Sequence, residues 1–70
     1  MQLFIDSYGS YIHVKDQMFE IRVKTDGELK KNHYSAKKVS HIIASKGTAI
    51  SSDAIELAVE NNPRMVNFKK

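Results

Sequence analysis

No cysteine occurs anywhere in the 70 residues. Disulfide scaffolds and cysteine-ligated zinc sites are therefore excluded, and the composition suits a reducing cytoplasm. No apolar run approaches the ~20 residues needed to cross a membrane as a helix. The N-terminus lacks the charged start and apolar stretch of a secretory signal. Glycine is scarce, and Gly9, Gly27 and Gly47 stand alone, so there is no glycine-rich phosphate loop. No serine sits in a nucleophile-elbow pattern. Repeats, low-complexity segments and internal linkers are also missing. The expectation is one domain over residues 1–70, cytoplasmic, with no membrane partner.

What remains is modest in composition. The hydrophobic share, 41%, is slightly low for a globular domain but too high for disorder. The net charge of +3 and a pI near 9.3 permit contact with nucleic acid without requiring it. A chain of this length buries only ~60% of its unfolded surface, and its core supplies no more than ~3–5 kcal/mol. It is therefore expected to dimerise or to be a piece of something larger.

Residues 49–62, AISSDAIELAVENN, carry the one strong helical period. At one hundred degrees per residue, Ala54, Ile55, Leu57, Ala58 and Val59 share a broad arc, with Asp53, Glu56 and Glu60 opposite. Ser51, Ser52 and Asp53 can each cap the start, and Asp53 with Glu56 has capping-box spacing. Asn61 and Asn62 tolerate a left-handed C-cap, and Pro63 blocks continuation. The spacing predicts a helix over about 51–62, with its whole apolar arc buried.

Strand patterns surround that helix. Residues 11–15 and 18–24 alternate with a period of two, joined across Asp16-Gln17. Asp26-Gly27 is a type I′ turn signal, with a returning strand over 29–35. Residues 1–6, 39–45 and 65–68 complete the strands, and 35–38 reads as one helical turn. The 39–45 strand is expected to be central. Strand, helix and last strand form a crossover long enough to make 39–45 and 65–68 parallel neighbours. The fold class is α+β, mostly β: an antiparallel-rich, sandwich-like domain of about six short strands with one amphipathic helix near the C-terminus.

Candidate chemistry is sparse. His13, His33 and His41 lie on three different segments without a close-spaced ligand pair, so strand histidines are favoured over a metal site. Asp53, Glu56 and Glu60 face away from the apolar arc, which favours solvent over acid–base work. Lys30, Lys31, Lys37 and Lys38 could line a phosphate backbone, although a solvated face is the simpler use. Tyr8, at a turn beside Gly9, could stack on a base, but the local sequence favours packing. No catalytic constellation emerges.

The whole chain resembles the N-terminal domain of the CRISPR-associated adaptation integrase, a metal-dependent DNA endonuclease family that inserts new spacers. The residues that carry the match run from Tyr8-Gly9 through IHVKDQMFEIRV, SAKKVSHIIAS, Gly47 and AISSDAIELAVENN to a closing apolar strand. The resemblance implies a small β domain with one helix. It implies a homodimer with strands pairing across the interface and contact with double-stranded or forked DNA, which a net charge of +3 is expected to keep weak. It also implies a companion CRISPR adaptation protein in the full-length context. Tyr8 takes the position of a tyrosine that stacks where duplex strands splay, and the DNA-contact set becomes Tyr8, Lys30, Lys31, Lys37 and Lys38. The family's metal ligands belong to a following helical domain, so magnesium or manganese is expected in the full-length parent. No cofactor, metal site or catalysis is expected in residues 1–70. The rival expectation is a free-standing protein-interaction module without a nucleic-acid role; an independent hydrolase ranks below both.

Overall fold

The computed structural model describes residues 1–62 and the backbone of residues 66–68. Within them the chain forms seven strands and one helix. In order these are β1 (Gln2–Ile5), β2 (Tyr11–Lys15), β3 (Met18–Thr25), β4 (Glu28–Ser35), β5 (His41–Ala44), β6 (Ala49–Ile50), α1 (Ser52–Asn61) and β7 (Val66–Phe68). They make two sheets, ordered β1-β5-β7 and β4-β3-β2-β6.

The larger sheet is an antiparallel meander extended by one parallel edge. Asp16 and Gln17 both hold positive φ, at 53° and 61°, as do Asp26 and Gly27 at 52° and 80°. These are the two-residue turns whose twist suits a hairpin. They set His13 opposite Glu20 and Glu20 opposite His33. On β4's far side no strand pairs among the described residues. At the other edge β6 pairs in parallel with β2, Tyr11 to Ala49 and Ile12 to Ile50. Two residues show no period, so β6 carries no sequence signal.

The smaller sheet is wholly parallel. β5 lies at its centre, as expected, pairing with β1 through Leu3–Ile42 and with β7 through Ile42–Val66. Residues 39–45 were expected as strand; β5 itself is shorter, but Ser40 and Ser45 still donate N–H groups to the Met1 and Ile5 carbonyls at 2.7 and 2.9 Å. The expected helical turn at 35–38 is a single turn, closed by Lys38 N–H to the Ser35 carbonyl at 3.0 Å. Pro63 and Met65 lie outside the described residues.

Alternation on both sheets directs Leu3, Ile5, Ile12, Phe19, Ile21 and Ile42 into one core, joined by Ala54 and Ala58 of the helix. Here the helix departs from expectation. Ala54 and Ala58 are buried and Leu57 packs at the core's margin, whereas Ile55 and Val59 stay 43% and 53% exposed. The two alanines, one turn apart, let the helix lie close on β2, and that narrow contact leaves the flanks of the apolar arc in water.

The N-cap is one of the expected residues, but the capping box and the left-handed C-cap do not form. Ser51 is the N-cap, accepting from Ala54 N–H at 3.2 Å. The third helical residue is thus Ala54, so Asp53 and Glu56 do not form a capping box. At the other end Asn62 is extended, with φ −163°, rather than left-handed. Side chains stabilise that end instead: Asn61 Nδ2 donates to the Leu57 carbonyl at 2.9 Å and Asn62 Nδ2 to the Ser40 carbonyl at 3.2 Å.

Candidate functional site

Two features stand out, one at a loop tip and one on the outer face of the larger sheet. The loop between β1 and β2 is held at both ends. Ser10 is buried, its hydroxyl donating to the Ser7 carbonyl at 2.6 Å and its carbonyl accepting from Ala49 N–H at 2.9 Å. Gly9 N–H donates to the Gly47 carbonyl at 3.0 Å. This frame presents Tyr8, which is 85% exposed. Its ring leans on Gly47 and leaves most of its surface to solvent. Local sequence favours packing for Tyr8; the loop's hydrogen bonds instead hold it over Gly47, which has no side chain to cover the ring.

The second feature was not read from the sequence. Alternation along β3 puts Glu20 on the polar face with Arg22 and Lys24, yet Glu20 is fully buried. Its Oε1 takes hydrogen bonds from His13 Nε2 and, at 3.0 Å, from Arg22 Nε. Its Oε2 meets His33 Nε2 at 2.6 Å. Tyr11 stacks on the His13 ring, centroids 5.3 Å apart. Burial pushes the Glu20 carboxyl up, but hydrogen bonds from Arg22, His13 and His33, with the charge on His13, outweigh it and hold the pKa at about 2. All three ion pairs among the described residues converge on this one carboxylate. The signal that could have found it lies in the turns. Two two-residue turns fix the register of three strands, and that register places His13 and His33 on either side of Glu20.

The expected DNA-contact residues are not gathered in one place. Tyr8 lies beyond the Tyr11 end of β2, while Lys37 and Lys38 follow β4 at the opposite end of the sheet. Lys30 and Lys31 are neighbours on β4 and so point to opposite faces. Lys31 shares the outer face with Arg22, its register partner. His41, on β5, is in the other sheet.

His13, Glu20 and His33 resemble a metal donor set in type only. Both ring Nε2 atoms bond the carboxylate, and the Arg22 guanidinium sits on the same oxygen as His13, a poor neighbour for a dication. No group of three or more metal-ligating side chains is arranged to hold an ion among the described residues.

Comparison with known proteins gives these features a context. No curated protein matches the sequence. A solved structure described as a TtCas1–DNA complex matches with TM-score 0.76 and 16% identity, over 99% of this chain and 22% of that one. A casposase bound to its integration product matches with TM-score 0.73 and 20% identity, over 99% of this chain and 21% of the other. At these identities the likeness is one of fold, and the chain spans about a fifth of each structure's length. The family model of CRISPR associated protein Cas1 matches residues 3–70. That match covers nearly the whole sequence, and the chain belongs to this family.

Proposed function

We propose that this chain is a non-catalytic domain that joins two protomers and positions DNA for an integrase acquiring CRISPR spacers. Its setting is cytoplasmic, alongside a companion adaptation protein. The parent's cleavage and joining chemistry, supplied by magnesium or manganese, resides outside residues 1–70. The observation that carries this reading is the exposed Tyr8 ring on a tied-down loop, a shape suited to stacking at the end of a duplex. That one of the structures of like fold is described as a DNA complex, and the other as bound to an integration product, supports the choice of partner. Lys30, Lys31, Lys37 and Lys38, spread over both faces and the far end of the sheet, add separate phosphate contacts rather than a track leading to Tyr8. A net charge of +3 makes that binding weak and salt-sensitive. Edge strands support the dimer: β4 exposes its residues from Glu28 to His33, and pairing such an edge across a two-fold axis enlarges a small core.

Forked and blunt duplexes, titrated at two salt concentrations against the chain and its Tyr8→Ala variant, test the reading. The fork is expected to bind more tightly, with a stacking loss of ~1–3 kcal/mol in the variant. Equal affinity for both duplexes, unaltered by the substitution, would overturn it. Light scattering at micromolar concentration should give a dimer, and a strict monomer counts against the pairing role. Metal-dependent nicking by the chain alone would overturn its non-catalytic character.

A further inference from the structure

We infer that the outer face of β2, β3 and β4 is a second DNA seat, separate from Tyr8, in which Glu20 positions Arg22 to grip a backbone phosphate. The inference rests on the DNA-positioning role proposed above and goes beyond its loop-tip contact. Strand register places Lys15, Arg22, Lys24 and Lys31 on this one face with His13 and His33. The only carboxylate among them is Glu20, which is buried beneath its three partners. The acids nearest in sequence, Asp16 and Asp26, sit in the turns, and the parity of β4 puts Glu28 on the opposite face. Four cations thus stand over one neutralised acid, and the three lysines form no ion pair with any described residue.

Glu20 does more than offset charge. It binds Arg22 through Nε alone, so the two terminal guanidinium nitrogens remain to fork onto a phosphate. A guanidinium already fixed in plane loses less freedom when it binds. A face of exposed lysines alone would lack that order. An acidic protein surface would complement the charge and take the same fork through its carboxylates, but the DNA role proposed above favours a phosphodiester.

Fluorescence anisotropy with blunt and forked duplexes over a salt series separates the two sites. Lys24→Gln with Lys31→Gln removes cations that hold nothing in the fold; Arg22→Gln removes the fork. Each charge lost is expected to weaken both duplexes alike and to make the slope of log affinity against log salt shallower by about 1. The preference for the fork should survive, and Tyr8→Ala should abolish that preference while sparing the blunt duplex. Glu20→Gln is the test of positioning, run where its folded circular dichroism signal equals that of the unsubstituted chain. Removing a negative charge should tighten DNA binding if only charge matters, whereas loss of positioning weakens it. Tighter or unchanged binding overturns the role of Glu20. Wild-type affinity and slope in the lysine and arginine variants, with Tyr8→Ala still losing the fork, overturn the second seat alone. Failure of the unsubstituted chain to bind either duplex overturns both this seat and the reading it rests on.

Discussion

The ring of Tyr8 lies across Gly47, with its Cε2 atom 2.6 Å from where a Cβ on that glycine would stand. Gly47 also holds a φ of 91°, a conformation that costs other residues roughly 1–2 kcal/mol. Set against glycine's entropic cost, Gly47→Ala should therefore lose up to ~1 kcal/mol of stability in urea denaturation, and little more, because the exposed ring is free to swing away. The Gly9 amide, which donates to the Gly47 carbonyl, should exchange faster in the variant. A change under ~0.5 kcal/mol, the ordinary range for a surface substitution, would show that neither the angle nor the ring constrains this loop.

Glu20 gives the fold an acid limit. Its folded pKa of about 2 lies below the ordinary 4.5, so the unfolded chain takes up a proton first as pH falls. The stabilisation is whole above about 4.5 and is lost between there and about 2. Thermal melts from pH 6 down to 2 should show Tm falling through that window in the unsubstituted chain. Glu20→Gln should start lower at pH 6 and lack this part of the decline. Parallel curves for the two proteins would place the carboxylate's stabilising role elsewhere.

That cluster also marks where the sequence was readable and where it was not. Period-two alternation located β2 and β3, and both tight turns occur where they were expected. Alternation assigns a side chain to a face, however, and says nothing of what covers that face. Alternation therefore puts Glu20 with Lys24, although cross-strand histidines and Arg22 close over it. The helix poses the same problem in another form. A five-residue apolar arc fixes a direction, but how much of it is buried depends on how closely Ala54 and Ala58 let the helix approach β2. β6 was illegible because two residues cannot display a period. Local sequence does not show the exposure of Tyr8, because that exposure depends on hydrogen bonds between its loop and the distant 45–49 loop.

Substitutions in and around the helix turn those distinctions into measurements. Ile42 is wholly buried between β1 and β7, so Ile42→Ala should cost ~2–5 kcal/mol. Ile55→Ala should cost under about 1 kcal/mol, since that side chain already meets water. At the helix start, Ser51→Ala should cost ~0.5–2 kcal/mol for the lost bond to Ala54 N–H, while Ser52→Ala should be near neutral. Equal losses at both serines would place the cap incorrectly, and an Ile55 effect matching Ile42 would restore the full arc as core.

The two type I′ turns differ by one residue, and that difference predicts opposite responses. Gln17 sits at φ 61°, and Gly27, at the equivalent place in the next turn, at φ 80°. A non-glycine residue in this region carries a penalty of ~1–2 kcal/mol, while glycine carries an entropic cost of roughly 0.5–1 kcal/mol relative to alanine. The penalty is the larger, so Gln17→Gly should stabilise the domain by up to ~1 kcal/mol. Gly27→Ala should destabilise it by a similar amount, and beyond its two chain neighbours no described residue comes within 4 Å of the Cβ it would add. Its loss would therefore be conformational rather than steric. Urea midpoints moving in opposite directions, with unchanged m-values, would confirm that the two hairpins share one turn geometry at different conformational cost. A destabilised Gln17→Gly variant would mean that the Gln17 side chain contributes more to the hairpin than its backbone angle takes away.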